Sequence, residues 1–396
     1  MEALTKNKIN INNIRTLPSN MGFGFCVYGK PDQETIDWAK SWGFRIEEGK
    51  PYTNILVPKN FDISECFEKF SQYKYVDGFS PNLNKHLHIG HMSNFIIAKT
   101  FQSMGVGEKF ISILGDTLQG DVEHSEALEM YKFYCEMFGL EISETFLASN
   151  MNYFGDLLKE GEGKYEGTKV FDTGEEKIVG IKSNGSTTYF CQDVALADTL
   201  GESTLYMTGN EQDGHFGTLK KMFPHTNHIG LGLVMLDKKM SSREGNVIYF
   251  SDLLKDCLAK FNNDYELVYN VLAGFILKID PKKSKNIDTK TLDNPKNSPG
   301  LYLSYTLARL TSAGARAMKT DKFNNTELQF KYMKALYNLE PNILFNGLVD
   351  HCKMINSMYG THKIEGNPEN EVMFSNFKED LELGMKMLGM FLVDKV

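Results

Sequence analysis

The chain has 396 residues, 41% of them hydrophobic and 24% charged, and a formal net charge of −8. That length allows two or three domains with at least one large core, and the apolar content excludes wholesale disorder. The acidic balance excludes a protein that works by non-specific attraction to nucleic acid, though not a local basic track.

No apolar run approaches the roughly 20 residues of a membrane span. The first residues lack the apolar stretch of a secretory signal, so the expected location is the cytoplasm, with no membrane partner. Six cysteines (Cys26, Cys66, Cys135, Cys191, Cys257 and Cys352) are scattered without a C-x-x-C pair. They read as separate reduced thiols rather than a zinc site or a disulfide framework.

In chain order, 1–70 reads as a small α+β unit. Its helix is expected over 31–42, with Pro31 at the start and Ile36, Ala39 and Trp42 on the apolar side, and a short strand over 54–57. From 71 to 280, short apolar runs alternate with helical patterns. Strands are expected at 75–80, 110–115, 187–191, 203–209 and 228–234, with helices such as 89–104 and 123–139 between them. In the latter, Met130, Phe133 and Met137 stand at helical spacing and read as core. This alternation predicts an α/β fold class, a Rossmann-type parallel sheet with helices on both faces. Residues 281–299, rich in Lys, Asn, Asp and Pro, read as a linker or exposed crossover. Helices at 301–318, 327–339, 341–359 and 377–392 then make 281–396 an α-helical bundle domain.

Asp77-Gly78-Phe79-Ser80-Pro81-Asn82 follows the first strand of the alternation and leads into Lys85-His86-Leu87-His88-Ile89-Gly90-His91. Pro81 stops the strand and a helix opens after it. A helix that begins at the carboxyl edge of a parallel strand offers free amides and a positive dipole end to an anion. His88 and His91 share one face of its first turn, and Gly90 between them lets a flat ring approach the backbone. Such a turn has the parts to hold a triphosphate and to stabilise charge that builds on phosphorus. H-x-x-H also suits a metal, but no third ligand lies nearby in the sequence. Further on, Lys238-Lys239-Met240-Ser241-Ser242-Arg243-Glu244-Gly245-Asn246 follows the last expected strand. Lysines and small residues there suit a loop that closes over phosphates, or a solvated charged loop.

Taken together, H-I-G-H and the later K-M-S-S-R resemble the paired signatures of class I aminoacyl-tRNA synthetases, and the surrounding residues are most similar to arginyl-tRNA synthetase. That family carries S-P-N-x-x-K before H-I-G-H, here Ser80-Pro81-Asn82 and Lys85. Its second signature runs K-M-S-S-R-x-G, here Lys239 to Gly245. Ser242 stands where other class I enzymes have a second lysine, and in the family the upstream lysine, here Lys85, is taken to supply that charge. Ser186-Thr187-Thr188-Tyr189-Phe190-Cys191-Gln192-Asp193 resembles the family's G-T-x-T-Y-x-x-x-D segment. Gly209-Asn210-Glu211-Gln212-Asp213-Gly214-His215 resembles the class I G-x-D-Q-x-x-H segment, and 302–309 the start of the helical anticodon-binding domain. The resemblance covers 77–320 well and the rest weakly.

This resemblance implies ATP-dependent activation of arginine to arginyl-adenylate and transfer to tRNA(Arg). It implies that His88, His91, Lys85 and Lys239 bind the ATP phosphates and the transition state. Gly90, Gly209, Glu211, Met240, Ser241 and Ser242, with Lys239, complete the expected ATP site. Asp77, Ser80, Asn82, Tyr189, Asp193 and Gln212 are the expected amino-acid site. In it Tyr189 and Asp193 face the guanidinium, whose five donors demand carboxylates and carbonyls, while Asn82, Gln212 and Asp77 orient the α-amino and carboxylate groups. Mg²⁺ is expected to come with ATP, held mainly by phosphates and water.

The chain departs from the family in places. Asp77 stands where the family has glutamate, and Thr117-Leu118 where it has Trp-Gly. The stretch from there to Ser186 is short, and 1–70 does not resemble the family's tRNA-elbow domain. Residues 300–396 carry 11 Lys and Arg against 11 Asp and Glu, without the basic excess usual for an anticodon-binding surface. Lys278, Lys282, Lys283 and Lys285 form the best basic patch, or a solvated linker. Two expectations stand: a compact arginine–tRNA ligase, or a related ligase that passes its adenylate to a non-tRNA acceptor, a small-molecule or protein amine.

Overall fold

The computed structural model describes residues 8–17, 23–58, 61–117, 120, 122–236, 249–288, 290–316, 320–393 and 395–396. They fall into two units, Met1–Ser71 with Pro299–Val396, and Gln72–Ser298.

In the first unit, β1 (Arg15–Thr16), β2 (Gly24–Tyr28), β3 (Arg45–Glu47) and β4 (Tyr52–Leu56) form an antiparallel sheet in the order β1-β2-β4-β3. Helix α1 (Gln33–Ser41) starts on Asp32, whose carboxylate accepts from the Thr35 amide at 2.8 Å. It buries Trp38 and Ala39 fully, with Ile36 and Trp42 half-buried beside them. The Trp38 indole donates to the Cys66 carbonyl at 2.8 Å, so the ring is buried with its polar atom satisfied.

The second unit runs β5 (Tyr73–Asp77), α2 (Ile89–Met104), β6 (Gly107–Leu114), α3 (His124–Phe138) and β7 (Glu144–Leu147). An insertion follows, β8 (Leu158–Glu160), β9 (Lys169–Asp172) and β10 (Lys177–Ile181), which forms its own antiparallel sheet. Then come α4 (Tyr189–Leu200), β11 (Thr204–Gly209), α5 (Asp213–Met222), β12 (Thr226–Leu231), β13 (Val234–Leu236), α6 (Phe250–Lys260), α7 (Tyr265–Leu277) and β14 (Lys285–Ile287). Five strands form one parallel sheet in the order β12-β11-β5-β6-β7. The chain winds outward from β5 to β7 and then returns to the other side of β5. The crevice at the carboxyl ends of β5 and β11 is therefore the topological switch point, where open α/β sheets bind their ligands.

Several expectations change here. Residues 187–191 are not a strand. Thr188 caps α4, accepting from the Cys191 amide at 3.3 Å, and Phe190, Cys191, Val194 and Ala197 then bury one helical face. The β-branched and aromatic residues favour a strand locally, but cap and periodicity decide. Helix α3 buries Ala127, Tyr131, Tyr134 and Phe138; Phe133 is exposed, and Met130 and Met137 only half-buried, so the expected core stripe is one position off. Residues 281–299 are not wholly a linker. Strand β14 pairs in parallel with β13, and Lys285 is buried, its Nζ donating to the Pro281 and Lys283 carbonyls at 3.0 and 3.1 Å. Burial brings its pKa down to about 8, and Lys285 drops out of the expected basic patch.

The first unit resumes with α8 (Pro299–Ser312), α9 (Thr326–Asn338), α10 (Asn342–Tyr359) and α11 (Pro368–Met387). Helix α11 starts earlier than 377, because Asn367 caps it and Pro368 fits its first turn. Phe330 of α9 lies 5.0 Å from Phe25 and 5.5 Å from Phe67, ring to ring, in one core with Trp38 and Ile55. Residues 1–70 and 281–396, separate segments in the sequence reading, thus meet in a shared core through 1–71 and 299–396. Among the described residues no helix is long and apolar enough to cross a membrane.

Because Phe330 joins both segments, Phe330→Ala should cost about 3–5 kcal/mol. Urea unfolding measures the loss. Hydrogen exchange should rise in both the 24–56 sheet and the 342–387 helices; a change confined to the helices would refute the shared core.

Candidate active site

The loop from β5 to α2 is fastened to the end of β6. The Leu83 amide donates to the Gly115 carbonyl at 2.8 Å, and the Gly115 amide to the Pro81 carbonyl at 3.1 Å. A Cβ at residue 115 would fall on the Asn82 side chain, so glycine there lets Asn82 sit against the strand end. The loop then delivers His88 to the N-cap of α2.

Two histidines cap this helix. His88 Nδ1 accepts from the Gly90 amide at 3.1 Å, and His91 Nδ1 accepts from the His88 amide at 3.1 Å. An accepting Nδ1 carries no proton, so each neutral ring holds its proton on Nε2. The rings stack with centroids 3.9 Å apart. Burial lowers both pKa values, that of His91 to about 3, and neighbouring Lys85 pushes the same way. The turn thus presents two neutral N–H donors. Gly90 is needed because a Cβ there would lie 2.9 Å from His88 Cε1. The ring that approaches this backbone is the protein's own.

Acidic groups gather beside it. Asp77 ends β5, is buried, and accepts from the Ser80 hydroxyl, which itself accepts from the Ile113 amide at 2.7 Å. Burial raises the Asp77 pKa to about 7; the Ser80 bond opposes this, and the nearby Asp193 charge adds to it. Asp193, one turn into α4, accepts from or shares a proton with His215 Nε2 at 2.6 Å. Burial raises its pKa, against the pull of His215. Tyr206 of β11 is the register partner of Asp77 and is fully buried, and among the described residues its hydroxyl has no hydrogen-bond partner. Burial, then the charges of Asp193 and Asp77, hold that hydroxyl well above its ordinary pKa. Neither His215 nor Tyr206 stands among the sequence candidates. His215 closes the segment that carries Glu211 and Gln212; Tyr206 looks like any strand aromatic.

A cleft of about 610 Å³ opens at the switch point, of a size for a nucleotide with a small co-substrate. Ser80, Asn82, Lys85, His88, Gly90 and His91 line one wall, and Gly209, Glu211 and Gln212 the other. A Cβ at Gly209 would collide with the Glu211 carboxylate. Asp77, Tyr189 and Asp193 are not lining residues. Asp77 is joined to the cleft by Ser80, Asp193 acts on Asp77, and Tyr189 is 55% exposed at the start of α4. Lys239, Met240, Ser241 and Ser242 lie outside the described residues. The flanks of that stretch are at the site: Met235 lines the cleft, and Tyr249 bridges to His88.

No family model matches the chain. It is 27% identical over 293 residues to the arginine–tRNA ligase of Lactobacillus johnsonii, covering 62% of this chain and 52% of that one. It is 25% identical over 411 residues to arginine–tRNA ligase 1 of Bacillus thuringiensis subsp. konkukian, covering 89% and 70%. The chain spans about half the length of the first curated relatives it matches. Among solved structures, Thermus thermophilus arginyl-tRNA synthetase superposes with a TM-score of 0.66 at 13% identity, over 95% of this chain and 97% of that one. The Plasmodium falciparum enzyme does so with a TM-score of 0.63 at 17% identity, over 89% and 86%. The chain shares the fold of these synthetases, and by sequence it is similar to the arginine–tRNA ligases.

Proposed function

We propose that this chain activates arginine with ATP, forming arginyl-adenylate, and transfers the arginine to tRNA(Arg). The observation that carries the reading is the pairing, at one switch point, of a donor-rich helix start with two carboxylates, the buried Asp77 and the half-buried Asp193. A triphosphate needs the first and a guanidinium the second. The likeness to arginine–tRNA ligases favours tRNA over an amine as acceptor, and a cytoplasmic setting goes with that reading.

In this mechanism the chain forms no covalent intermediate. Asn82 and Gln212 orient the arginine carboxylate for in-line attack on the α-phosphorus, and Asp77, Tyr189 and Asp193 hold its cationic groups. His88 and His91 donate from Nε2 to oxygens whose charge grows in the transition state, where neutral donors need no proton adjustment. Lys85 and Lys239 neutralise phosphate charge, and Gly90, Gly209, Glu211, Met240, Ser241 and Ser242 complete the nucleotide site. ATP enters as its magnesium complex. The magnesium ion is held mainly by the phosphates and water.

Arginine-dependent exchange of pyrophosphate into ATP, with and without bulk tRNA, tests the whole reading. Exchange that requires tRNA supports it. Exchange without tRNA, with no arginine esterified to tRNA, would redirect the adenylate to another acceptor.

His88→Asn should separate the cap from the chemistry. Asparagine is a strong N-cap but lacks the distal N–H. Thermal stability should stay near that of the parent while kcat falls about 10²- to 10³-fold; equal turnover would remove His88 from the mechanism.

Asp77 gives a pH dependence. With its pKa about 7 in the free protein, it is protonated below that pH and ionised above it, and a cationic substrate prefers the ionised form. Its raised pKa stabilises the free fold at low pH, and that contribution is lost as pH rises through about 7. The thermal stabilisation produced by arginine should therefore grow from pH 6 to pH 8 and flatten in Asp77→Asn. The same growth in the variant would clear Asp77 of the effect.

A further inference from the structure

Asp213 at the start of α5, His228 on β12 and Thr208 on β11 form a hydrogen-bonded row that ends in the cleft. His228 Nδ1 lies 3.2 Å from Asp213 Oδ1, and His228 Nε2 lies 2.9 Å from Thr208 Oγ1. Thr208 is a lining residue of the cleft. The polarity of the row follows from its outer member. A carboxylate only accepts, so Nδ1 carries the proton and donates to Asp213. Burial holds the His228 imidazole below its ordinary pKa, so the ring is neutral and Nε2 is an acceptor. The Thr208 hydroxyl therefore donates to Nε2; the Gly209 carbonyl, 3.4 Å away, is the poorer acceptor. With its one proton turned inward, Thr208 offers the cleft only oxygen lone pairs.

The row is also held in place. Phe216 stacks on the His228 ring with centroids 4.5 Å apart and planes 14° from parallel. Residue 230 is glycine, and a Cβ there would collide with Asp213 Oδ1. The His228 side chain is 10% exposed, against 67% for Asp213, so the outer end of the row faces solvent while its middle member is enclosed.

We propose that Thr208 determines specificity in the cleft by accepting a hydrogen bond from a hydroxyl or ammonium group of the bound substrate, with His228 and Asp213 as positioning residues that set its polarity. This rests on the ATP and arginine reading above. The ribose hydroxyls of ATP and the α-ammonium of arginine are the two sources of such a donor.

Calorimetric titration of ATP and of arginine onto the full chain tests it. Thr208→Val should weaken one ligand about tenfold, the worth of one hydrogen bond, and leave the other within about twofold. His228→Phe, which breaks the row, should give the same selective loss. Thr208→Ser should rescue the first, and His228→Gln the second, because glutamine can donate to Asp213 and accept from Thr208. If ATP is the affected ligand, 2′-deoxy-ATP and 3′-deoxy-ATP identify the hydroxyl: the analogue lacking it binds the parent and Thr208→Val alike. A selective loss for arginine identifies the ammonium. Parent-like binding of both ligands by Thr208→Val would overturn the proposal alone. A parent chain that binds neither ATP nor arginine would overturn the functional reading, and this proposal with it.

Discussion

The first turn of α2 has free amides that need acceptors, and much of the site follows from supplying them with histidine. Serine or aspartate would cap the helix as well, but would leave nothing to face a ligand. An imidazole accepts at one nitrogen and donates at the other, so His88 and His91 satisfy the helix with Nδ1 and keep Nε2–H for a substrate. The arrangement works only with neutral rings. Two imidazolium ions would not stack at 3.9 Å, and a charged ring has no accepting nitrogen. Burial and the Lys85 charge hold the rings neutral, and Gly90 gives the first ring its room.

The opposite end of the switch point is built on the reverse logic. Asp77 and Asp193 are both held above their ordinary pKa by burial, and among the described residues the Tyr206 hydroxyl is unpaired, where an aliphatic side chain could have been buried instead. Each of these features costs stability in the free protein. Ser80 and His215 relieve part of that cost by bonding to the two carboxylates. On the proposed function, what remains unrelieved would be matched by a cation with several donors.

Local signals carried far in the sequence. Helix α2 runs over the expected 89–104, because Gly105 stops it and the histidine turn starts it, and the parallel sheet follows from the alternation around it. Nine of the candidate site residues share the cleft wall, each in a segment whose spacing is itself the signal. The failures lie where distant partners decide. Lys285 looks like linker until two carbonyls enclose it. The α3 stripe slips by one position because its packing partner, not its period, selects the face. Strands β7 to β10 are too short to show a period. Phe330 and Phe25 meet across most of the chain's length, which no window of sequence displays. Thr208 and His228 are brought together by strand register, and Asp213 reaches them from the start of α5.

One sheet edge carries both donors and acids because strands β5 and β11 end differently. After β5 the chain passes through Pro81 and opens a helix, so that side is rich in donors. After β11 it makes a single tight turn, Asn210–Gln212, before α5. That side offers the carboxylate of Glu211, and the oxygen of Thr208 with its proton turned away. Asp77 and Tyr206 lie opposite each other on the same two strands, so their side chains share one face of the sheet, and Tyr206 packs in one core cluster with Val194 and Ala197 of α4. On the proposed function, this crevice would meet an anion with the donors of the α2 turn and a cation with the acids beside β5.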